Sequence, residues 1–158
     1  MFKLTVQPPT PDHAPYIGTG NPTGLDIRAY LPNKELVIKP KRSALVPTGL
    51  KIDVELPVDE FSPDIQIRGR SGMGCKDDIQ FHVGTIDTDY RGEICVKLFN
   101  FSSKPYTIKD KDRIAQLVVG VCMTPKTMVS TGRYEVVEKL PERVTERGEQ
   151  GFGSSGKQ

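Results

Sequence analysis

The stretch LKIDVEL, residues Leu50–Leu56, decides the fold class. Every second residue in it is apolar, and Lys51, Asp53 and Glu55 stand between the apolar ones. Successive side chains of a β-strand point to opposite faces, so this period of two puts the apolar side chains on one face and the charged ones on the other. A helix would scatter the same residues around its circumference. The stretch therefore predicts a strand in a sheet that has one buried face and one wet face.

Similar short β-rich stretches recur along the chain, separated by Pro, Gly, Asn and Asp turn residues. The predicted strands are Leu4–Val6, Leu25–Tyr30, Leu36–Ile38, Ala44–Val46, Ile65–Ile67, Ile94–Phe99, Ile114–Met123 and Tyr134–Val137. Many short strands at this spacing predict an all-β fold, a jelly roll or a related barrel. We expect at most one short helix, which would begin at Ser71 as a possible N-cap and end by Asp77.

Length and composition exclude several classes of protein. A chain of 158 residues is expected to form one domain, and its 36% apolar residues, 27% charged residues, 15 glycines and 13 prolines argue against a membrane protein or a helix bundle. The 22 basic and 20 acidic residues are interspersed and leave a net charge of +2. Because no basic patch stands out, we expect no direct binding to nucleic acid and none to a membrane surface.

Targeting signals and cysteine content predict the cellular compartment of the protein. Residues Met1–Thr10 lack the apolar core of a signal peptide, and the longest apolar run, Leu117–Met123, is far below the roughly 20 residues that span a bilayer. We therefore expect a cytoplasmic or nuclear protein. Cys75, Cys95 and Cys122 form an odd set without C-x-x-C spacing, which predicts reduced thiols in or near the core rather than disulfides or a zinc site.

Two short segments carry groups that suit phosphate chemistry, although each also has an ordinary structural interpretation. Arg70–Gly72 lies between a predicted strand and the possible helix, where a guanidinium, a hydroxyl and backbone amides could converge on a phosphate or simply cap the helix. Asp87 and Asp89 are predicted to share one strand face. They form either a solvated edge or a carboxylate pair that acts as a general base or holds a metal through water.

The last residues differ from the rest of the chain. Arg147–Gln158 contains four glycines, two serines and one aromatic residue, Phe152. The segment is either a solvated terminus or a lid that closes over a ligand with a stacking ring, a cation and hydroxyl donors. It also nearly matches a P-loop, but Gln158 stands where that motif needs Ser or Thr and no helix can follow. We divide the chain into a domain over 1–146 and a flexible Gly-rich tail over 147–158.

Five separated stretches resemble, in order, the five motifs of the trimeric deoxyuridine triphosphatases, or dUTPases. They are Thr23–Ala29, Arg70–Gly72, Gly84–Gly92, Asp112–Leu117 and Arg147–Gly156. The resemblance implies a distorted jelly-roll β-barrel that assembles as a homotrimer, with active sites shared between subunits. It also implies hydrolysis of dUTP to dUMP and diphosphate with Mg²⁺, which limits uracil incorporation into DNA and supplies dUMP for thymidylate synthesis.

The resemblance also implies a role for individual residues. Asp87 would be the general base that activates water for attack on the α-phosphorus, and Asp26 would act on the magnesium indirectly, through water. The residues implied to bind phosphate are Arg70, Ser71, Gly72 and Gln116. Those implied to bind the base and sugar are Gly84, Thr85, Ile86, Asp87, Tyr90 and the backbone of Cys95. The tail residues implied to close over the nucleotide are Arg147, Phe152, Gly153, Ser154 and Ser155.

Small departures from the family pattern accompany the match. Thr23 replaces a common alanine, Gly69 replaces the proline or alanine usually found before the arginine, and Lys111 replaces the glycine that often precedes Asp112. Two rival functions remain at this point. A dCTP deaminase shares the general fold, although the third motif and the Phe152 tail match the triphosphatases better. A catalytically idle jelly-roll binding module is the other rival, but it predicts erosion of at least one motif, and none is eroded.

Overall fold

Eleven short strands and two short helices make up the part of the chain that this computed structural model describes, which is residues 3–18, 20, 22–55, 61–82, 84–139 and 141. The strands are β1 (Lys3–Gln7), β2 (Gly24–Arg28), β3 (Glu35–Ile38), β4 (Ser43–Pro47), β5 (Lys51–Glu55), β6 (Ser62–Arg68), β7 (Ile79–Phe81), β8 (Gly84–Ile86), β9 (Cys95–Asn100), β10 (Tyr106–Lys109) and β11 (Arg113–Cys122). The helices are α1 (Ser71–Lys76) and α2 (Pro125–Ser130), and a single 3₁₀ turn covers Pro11–His13. The all-β prediction is confirmed.

The strands pair antiparallel in four sheets. The largest has the order β2-β11-β6-β8, a second has the order β4-β9-β7, and the pairs β1-β5 and β3-β10 complete the set. In the largest sheet Gln116 of β11 lies opposite Asp26 of β2 on one side and Arg68 of β6 on the other. Residues that are far apart in sequence are therefore aligned in one row across this sheet.

The core lies where the apolar faces of these sheets meet. In β5 the apolar Ile52 and Val54 are buried and the charged residues between them are exposed, which confirms the strand predicted from LKIDVEL. The same alternation buries Ile65 and Ile67 of β6. Burying one such aliphatic side chain contributes roughly 1.5–3 kcal/mol, so these alternating strands supply the main stabilisation of the fold.

Secondary structure departs from the predictions at two helices. A second helix, α2, was not expected; it begins after Thr124, whose hydroxyl accepts a hydrogen bond from the Thr127 backbone N–H at 3.2 Å, and Pro125 stands at its first position. Both are helix-start signals that a six-residue segment without apolar periodicity makes easy to overlook. Helix α1 forms as predicted, but its N-cap is Arg70 rather than Ser71.

Strand predictions also fail in places. Tyr134–Val137 is irregular rather than a strand, and no strand in the described part of the chain pairs with it. This segment has the composition of a strand but no strand to pair with among the described residues. Conversely, β7, β8 and β10 were not predicted.

The cysteines lie further outside than predicted. All three are free thiols, but Cys75 and Cys95 are exposed and Cys122 is half-buried, so the expectation of core or near-core positions is wrong. The reason is visible at β9, where the inward positions are taken by Val96 and Leu98 and Cys95 falls on the outward face. Among the described residues no helix is long and apolar enough to cross a membrane.

Candidate active site

A buried carboxylate, Asp26 on the edge strand β2, joins three polar side chains at the largest sheet. Asp26 accepts hydrogen bonds from Arg113 Nη1 at its Oδ2 and from Gln116 Nε2 at its Oδ1, both at 3.1 Å. Arg70 Nε lies 3.3 Å from the same Oδ1. The cross-strand register thus brings the predicted residues Asp26, Arg70 and Gln116 together.

Arg113 is the partner that the sequence reasoning missed. It lies inside the fourth motif, Asp112–Leu117, but only the structure shows that its guanidinium shares Asp26 with Arg70. The two arginines are linked a second time, since Arg70 Nη1 donates to the Arg113 carbonyl at 3.0 Å. A guanidinium carries five N–H donors, so both arginines could also donate to an anionic ligand here.

Tyr16 supports this arrangement from the side. Its backbone exchanges two hydrogen bonds with Asp26, at 2.8 and 2.9 Å. Its ring centroid lies 5.3 Å from Cζ of Arg113 and 5.5 Å from Cζ of Arg28, within the range of cation–π attraction. Tyr16 therefore restricts the orientation of Arg113.

Ser71 and Gly72 lie beside this cluster at the start of α1. The Arg70 carbonyl accepts the first helical hydrogen bond, from the Gly74 N–H at 3.1 Å, and both Ser71 and Gly72 are exposed. No atom would lie within 4 Å of a Cβ added at Gly72. The amide groups of the first turn have no partner inside the helix, so a ligand could reach them from this open side.

A cavity of about 410 Å³ lies beside β8 and β9. Such a volume suits a small organic ligand. Five of the predicted base and sugar residues line it, namely Gly84, Thr85, Ile86, Tyr90 and Cys95. The other lining residues are Leu45, Ile67, His82, Glu93, Ile94, Val96 and Lys97.

Asp87 follows directly after the strand that borders the cavity. Strand β8 ends at Ile86, and Asp87 begins the turn that continues through Thr88 and Asp89. The prediction that Asp87 and Asp89 share a strand face is therefore wrong, because the backbone leaves the sheet at this point. The Asp87 carbonyl accepts the Tyr90 N–H at 3.0 Å, which closes the turn, and the Asp87 side chain is exposed.

The Tyr90 ring is held by contacts within its own loop. Its hydroxyl donates to the Glu93 carbonyl at 2.9 Å. A Cβ at Gly92 would lie 2.3 Å from the Tyr90 oxygen and 2.5 Å from Cζ, so only glycine fits beneath this ring. With 44% of the residue exposed, the ring still has a free surface for a ligand.

Glu93 ties this loop to the turn between β4 and β5. Its Oε1 accepts the Thr48 N–H at 3.1 Å and the Gly49 N–H at 2.8 Å. Gly49 has a φ of 62°, a conformation that favours glycine. Glu93 also acts on Cys95, because partial burial, and after it the negative charge of Glu93, raises the pKa of the Cys95 thiol. The thiol is therefore neutral at pH 7.

Not all predicted residues come together within the described chain. Ser71 and Gly72 do not line the cavity beside Tyr90. Arg147, Phe152, Gly153, Ser154 and Ser155 lie outside the described residues. Among the residues that are described, no group of three His, Cys, Asp or Glu side chains could hold a metal ion.

Comparison with known proteins identifies the family. A family model described as dUTPase matches residues 11–156. The chain is also 40% identical over 146 residues to the deoxyuridine 5'-triphosphate nucleotidohydrolase of Actinobacillus pleuropneumoniae serotype 5b, across 91% of this chain and 87% of that protein. The chain belongs to the dUTPase family. A dUTPase hydrolyses dUTP to dUMP and diphosphate, and that is the reaction of this hydrolase.

Solved dUTPase structures share the fold. A mutant dUTPase of Staphylococcus bacteriophage 80alpha with dUpNHpp is similar over 98% of both chains, with a TM-score of 0.76 and 24% identity. A mutant dUTPase from phage phi11 of S. aureus, described with a structural Mg(II) ion, is similar over 89% of this chain and 99% of that one, with a TM-score of 0.69 and 19% identity. These similarities confirm the jelly-roll prediction.

Proposed function

We propose that the Asp26 cluster and the cavity beside Tyr90 bind opposite ends of dUTP, and that Asp87 is the general base. The observation that carries this proposal is the position of Asp87, an exposed carboxylate one residue beyond the strand that lines the base-sized cavity. From there it would accept a proton from the water that attacks the α-phosphorus. General-base assistance of this kind contributes roughly 10²–10⁴-fold to a rate.

Base selection would depend on the main chain of the cavity wall. Gly84, Ile86 and Cys95 can present N–H and C=O groups to the edge of uracil. Cytosine has the inverted donor and acceptor pattern and would leave buried polar groups unpaired, a penalty that can reach about 10⁴–10⁵-fold in rate. The 5-methyl group of thymine would meet backbone, and a ribose 2′-hydroxyl would meet the Tyr90 ring, which its contacts to Gly92 and Glu93 hold in place.

The triphosphate would bind the donors around α1 and β11. The side chains of Arg70 and Gln116 both contact the Asp26 carboxylate. Ser71 and Gly72 are exposed at the start of the adjacent helix. All four groups donate hydrogen bonds to anions. Because they are fixed before the substrate arrives, they can stabilise negative charge that develops on the phosphates without further reorganisation.

The residues present suit a magnesium ion that arrives with the triphosphate rather than one held in a protein cage. Asp26 is the carboxylate at the phosphate donors, and its two oxygens already accept from Arg113 and Gln116. Direct coordination would compete with these bonds, so Asp26 would act on the ion through water, as Mg²⁺ commonly allows. When bound, the ion would neutralise phosphate charge.

We further propose a homotrimer whose active sites are shared between subunits. Several large apolar side chains are exposed in the isolated chain, among them Leu45, Phe101, Val121 and Val136. Exposed apolar surface of this kind supports burial against other copies of the chain. The tail, 147–158, would close over the nucleotide with Phe152 stacked on uracil and Arg147, Gly153, Ser154 and Ser155 on the sugar and phosphates.

The replacement Asp87→Asn tests the assignment of the base. We expect kcat for dUTP to fall by about 10²-fold or more, with KM nearly unchanged, because the amide keeps the shape but cannot accept the proton. Asp89→Asn is the matched control, since Asp89 lies in the same turn and should tolerate the change. Diphosphate release from dUTP and dCTP, with ammonia measured in parallel, gives the readout. Near-normal turnover of Asp87→Asn would contradict the proposal.

A further inference from the structure

Gly69, immediately before Arg70, is a glycine for steric reasons. Its φ is not in the left-handed region, so the backbone there would accept any residue. A Cβ at this position, however, would lie 2.1 Å from Cδ1 and 2.3 Å from Cε1 of Phe81. Non-bonded carbon atoms stay about 3.5 Å apart or more, so the Phe81 ring already occupies the space of a side chain.

The Phe81 ring is held from its own strand. Phe81 is half-buried and packs against the hydrophobic core, and its backbone pairs with Leu98 in the sheet formed by β4, β9 and β7. Its side chain also borders an open cavity lined in part by Phe99 and Phe101, while the ring packs closely on Gly69. Directly after Gly69 in the chain, Arg70 makes its contacts to Asp26 and to the Arg113 carbonyl.

The same strand also reaches the cavity. His82, the residue after Phe81, lines the cavity beside Tyr90, and its N–H donates to the Lys97 carbonyl at 2.9 Å. Phe81 thus connects the segment that carries the phosphate donors with the wall of the base cavity. Where the family pattern has a proline or alanine before the arginine, this chain has glycine plus a ring that fills the equivalent space.

We propose that Phe81 is a positioning residue for the phosphate-binding segment Arg70–Gly72. By packing on Gly69 it fixes the backbone that leads into Arg70, and so it sets where the guanidinium and the first turn of α1 meet the triphosphate. Phe81 itself does not contact the substrate in this assignment. The inference rests on the proposed role of Arg70 in binding phosphate.

A pair of substitutions that compensate each other tests this inference. In Gly69→Ala the new methyl group collides with the ring and displaces Arg70, so we expect KM for dUTP to rise about 10-fold or more with a smaller change in kcat. In the double variant Gly69→Ala with Phe81→Ala the methyl group has room, so KM should be lower than in Gly69→Ala, although still above the wild-type value because the ring is gone. Phe81→Leu, which removes the ring but keeps the core apolar, should raise KM by itself.

Gly74→Ala is the matched control. It makes the same chemical change five residues along, where the nearest other atom would be the Ile79 carbonyl at 3.9 Å, an ordinary contact. Thermal unfolding of every variant separates a loss of folding from a change in KM. A wild-type KM for Gly69→Ala or for Phe81→Leu, or a double variant no better than Gly69→Ala, would overturn the inference.

Arg70→Lys separates this inference from the proposed function. It keeps the charge and the packing of Gly69 on Phe81 but loses the guanidinium fork. A raised KM in Arg70→Lys together with a normal KM in Gly69→Ala refutes the role of Phe81 but leaves the phosphate-binding role of Arg70 standing. A normal KM in Arg70→Lys refutes the phosphate-binding role of Arg70, and the proposed function fails at that residue whatever Phe81 does.

Discussion

Single residues in this chain often owe their identity to what packs against them. Gly92 and Gly69 are both covered by an aromatic ring, although neither has a positive φ. Lys111 shows the opposite situation: its φ of 68° lies in the region that favours glycine, which explains why the family often has glycine there. The lysine side chain in turn donates to Asp12 at 2.7 Å. Two of the three departures from the family pattern, Gly69 and Lys111, thus have identifiable partners.

Gly92→Ala should weaken the discrimination against ribonucleotides. The methyl group would displace the Tyr90 ring and break the bond from its hydroxyl to the Glu93 carbonyl. We expect the ratio of kcat/KM for UTP to that for dUTP to rise about 10-fold, the effect of one lost contact of about 1.4 kcal/mol. Steady-state kinetics with both nucleotides measures it, and Tyr90→Ala should shift the ratio in the same direction. An unchanged ratio in both variants would mean that another group excludes the 2′-hydroxyl.

At the scale of elements, contacts between two connecting segments position the loop that borders the cavity beside Tyr90. The loop that carries Asp87 and Tyr90 is fixed to the turn between β4 and β5 through Glu93, and Arg91 adds an ion pair to Asp53 at 2.7 Å. These contacts join the two connections into one unit. The cavity beside Tyr90 lies against that unit, because Tyr90, Glu93 and Ile94 all line it.

Glu93→Ala should destabilise the protein, whereas Glu93→Gln should not. Alanine leaves the Thr48 and Gly49 N–H groups without their acceptor, which costs about 1–3 kcal/mol, while the glutamine amide oxygen can still accept both bonds. Urea unfolding measures the free energy of unfolding of each variant. Equal stability of the alanine and glutamine variants would show that the two hydrogen bonds contribute nothing net.

Sequence patterns reveal elements that alternate over several residues and miss those that are short. The strand β5 was predictable because LKIDVEL is long enough to show its period, and the five motifs in order made the family recognisable. The six-residue α2 and the three-residue β8 are too short for periodicity. The segment Tyr134–Val137 has the composition of a strand, but pairing depends on a neighbour that composition does not supply.

The contacts of the site were less predictable than its members. Asp26, Arg70 and Gln116 could be named from the motifs, but their shared hydrogen bonds depend on the register of β2 and β11, which are separated by most of the chain. No local sequence pattern indicates that Arg113 is the second cation on Asp26. None indicates that the Phe81 ring lies over Gly69. Both contacts arise only when distant strands are placed side by side.

At the scale of the whole molecule, the N-terminal segment is attached by a buried histidine. His13 Nε2 lies 3.1 Å from Asp110 Oδ1, its Nδ1 lies 2.6 Å from the Thr10 hydroxyl, and Asp110 also accepts the Leu31 N–H at 2.7 Å. Burial acts to raise the pKa of Asp110, but the hydrogen bonds from Leu31 and His13 outweigh it, so this pKa lies below its ordinary value. The charged form of Asp110 is therefore the one that stabilises the fold.

Asp110→Asn should reduce stability at neutral pH but not in acid. A lowered pKa in the folded state contributes stability above the ordinary aspartate pKa of about 3.9, and that contribution is lost as the pH falls through the folded-state value. The variant has no charge to lose, so the difference in unfolding free energy from the wild type should be largest at pH 7 and shrink below about pH 4. Urea titrations from pH 7 to acid measure it. A difference independent of pH would exclude the linkage.

Mixed oligomers test whether sites are shared between subunits. Asp87→Asn chains and chains truncated after Glu146 should each be nearly inactive, the first without a base and the second without Arg147 and Phe152. If one subunit supplies the base and another the tail, subunit exchange between the two should restore measurable dUTP hydrolysis, because some mixed sites are complete. Sedimentation equilibrium establishes the trimer first. Exchanged mixtures as inactive as their parents would place the tail on its own subunit.

The central position of β11 has a consequence for how the molecule opens. From Gln116 to Val118 the strand lies between β2 on one side and β6 on the other. Its amide hydrogens can meet deuterated solvent only when the largest sheet comes apart, whereas the loops exchange through small local fluctuations. The slowest deuterium uptake in this protein should therefore be found at the strand that carries Gln116, a side chain proposed to bind phosphate. Exchange there reports the unfolding of the whole domain, and substrate should slow it only as far as binding stabilises that domain.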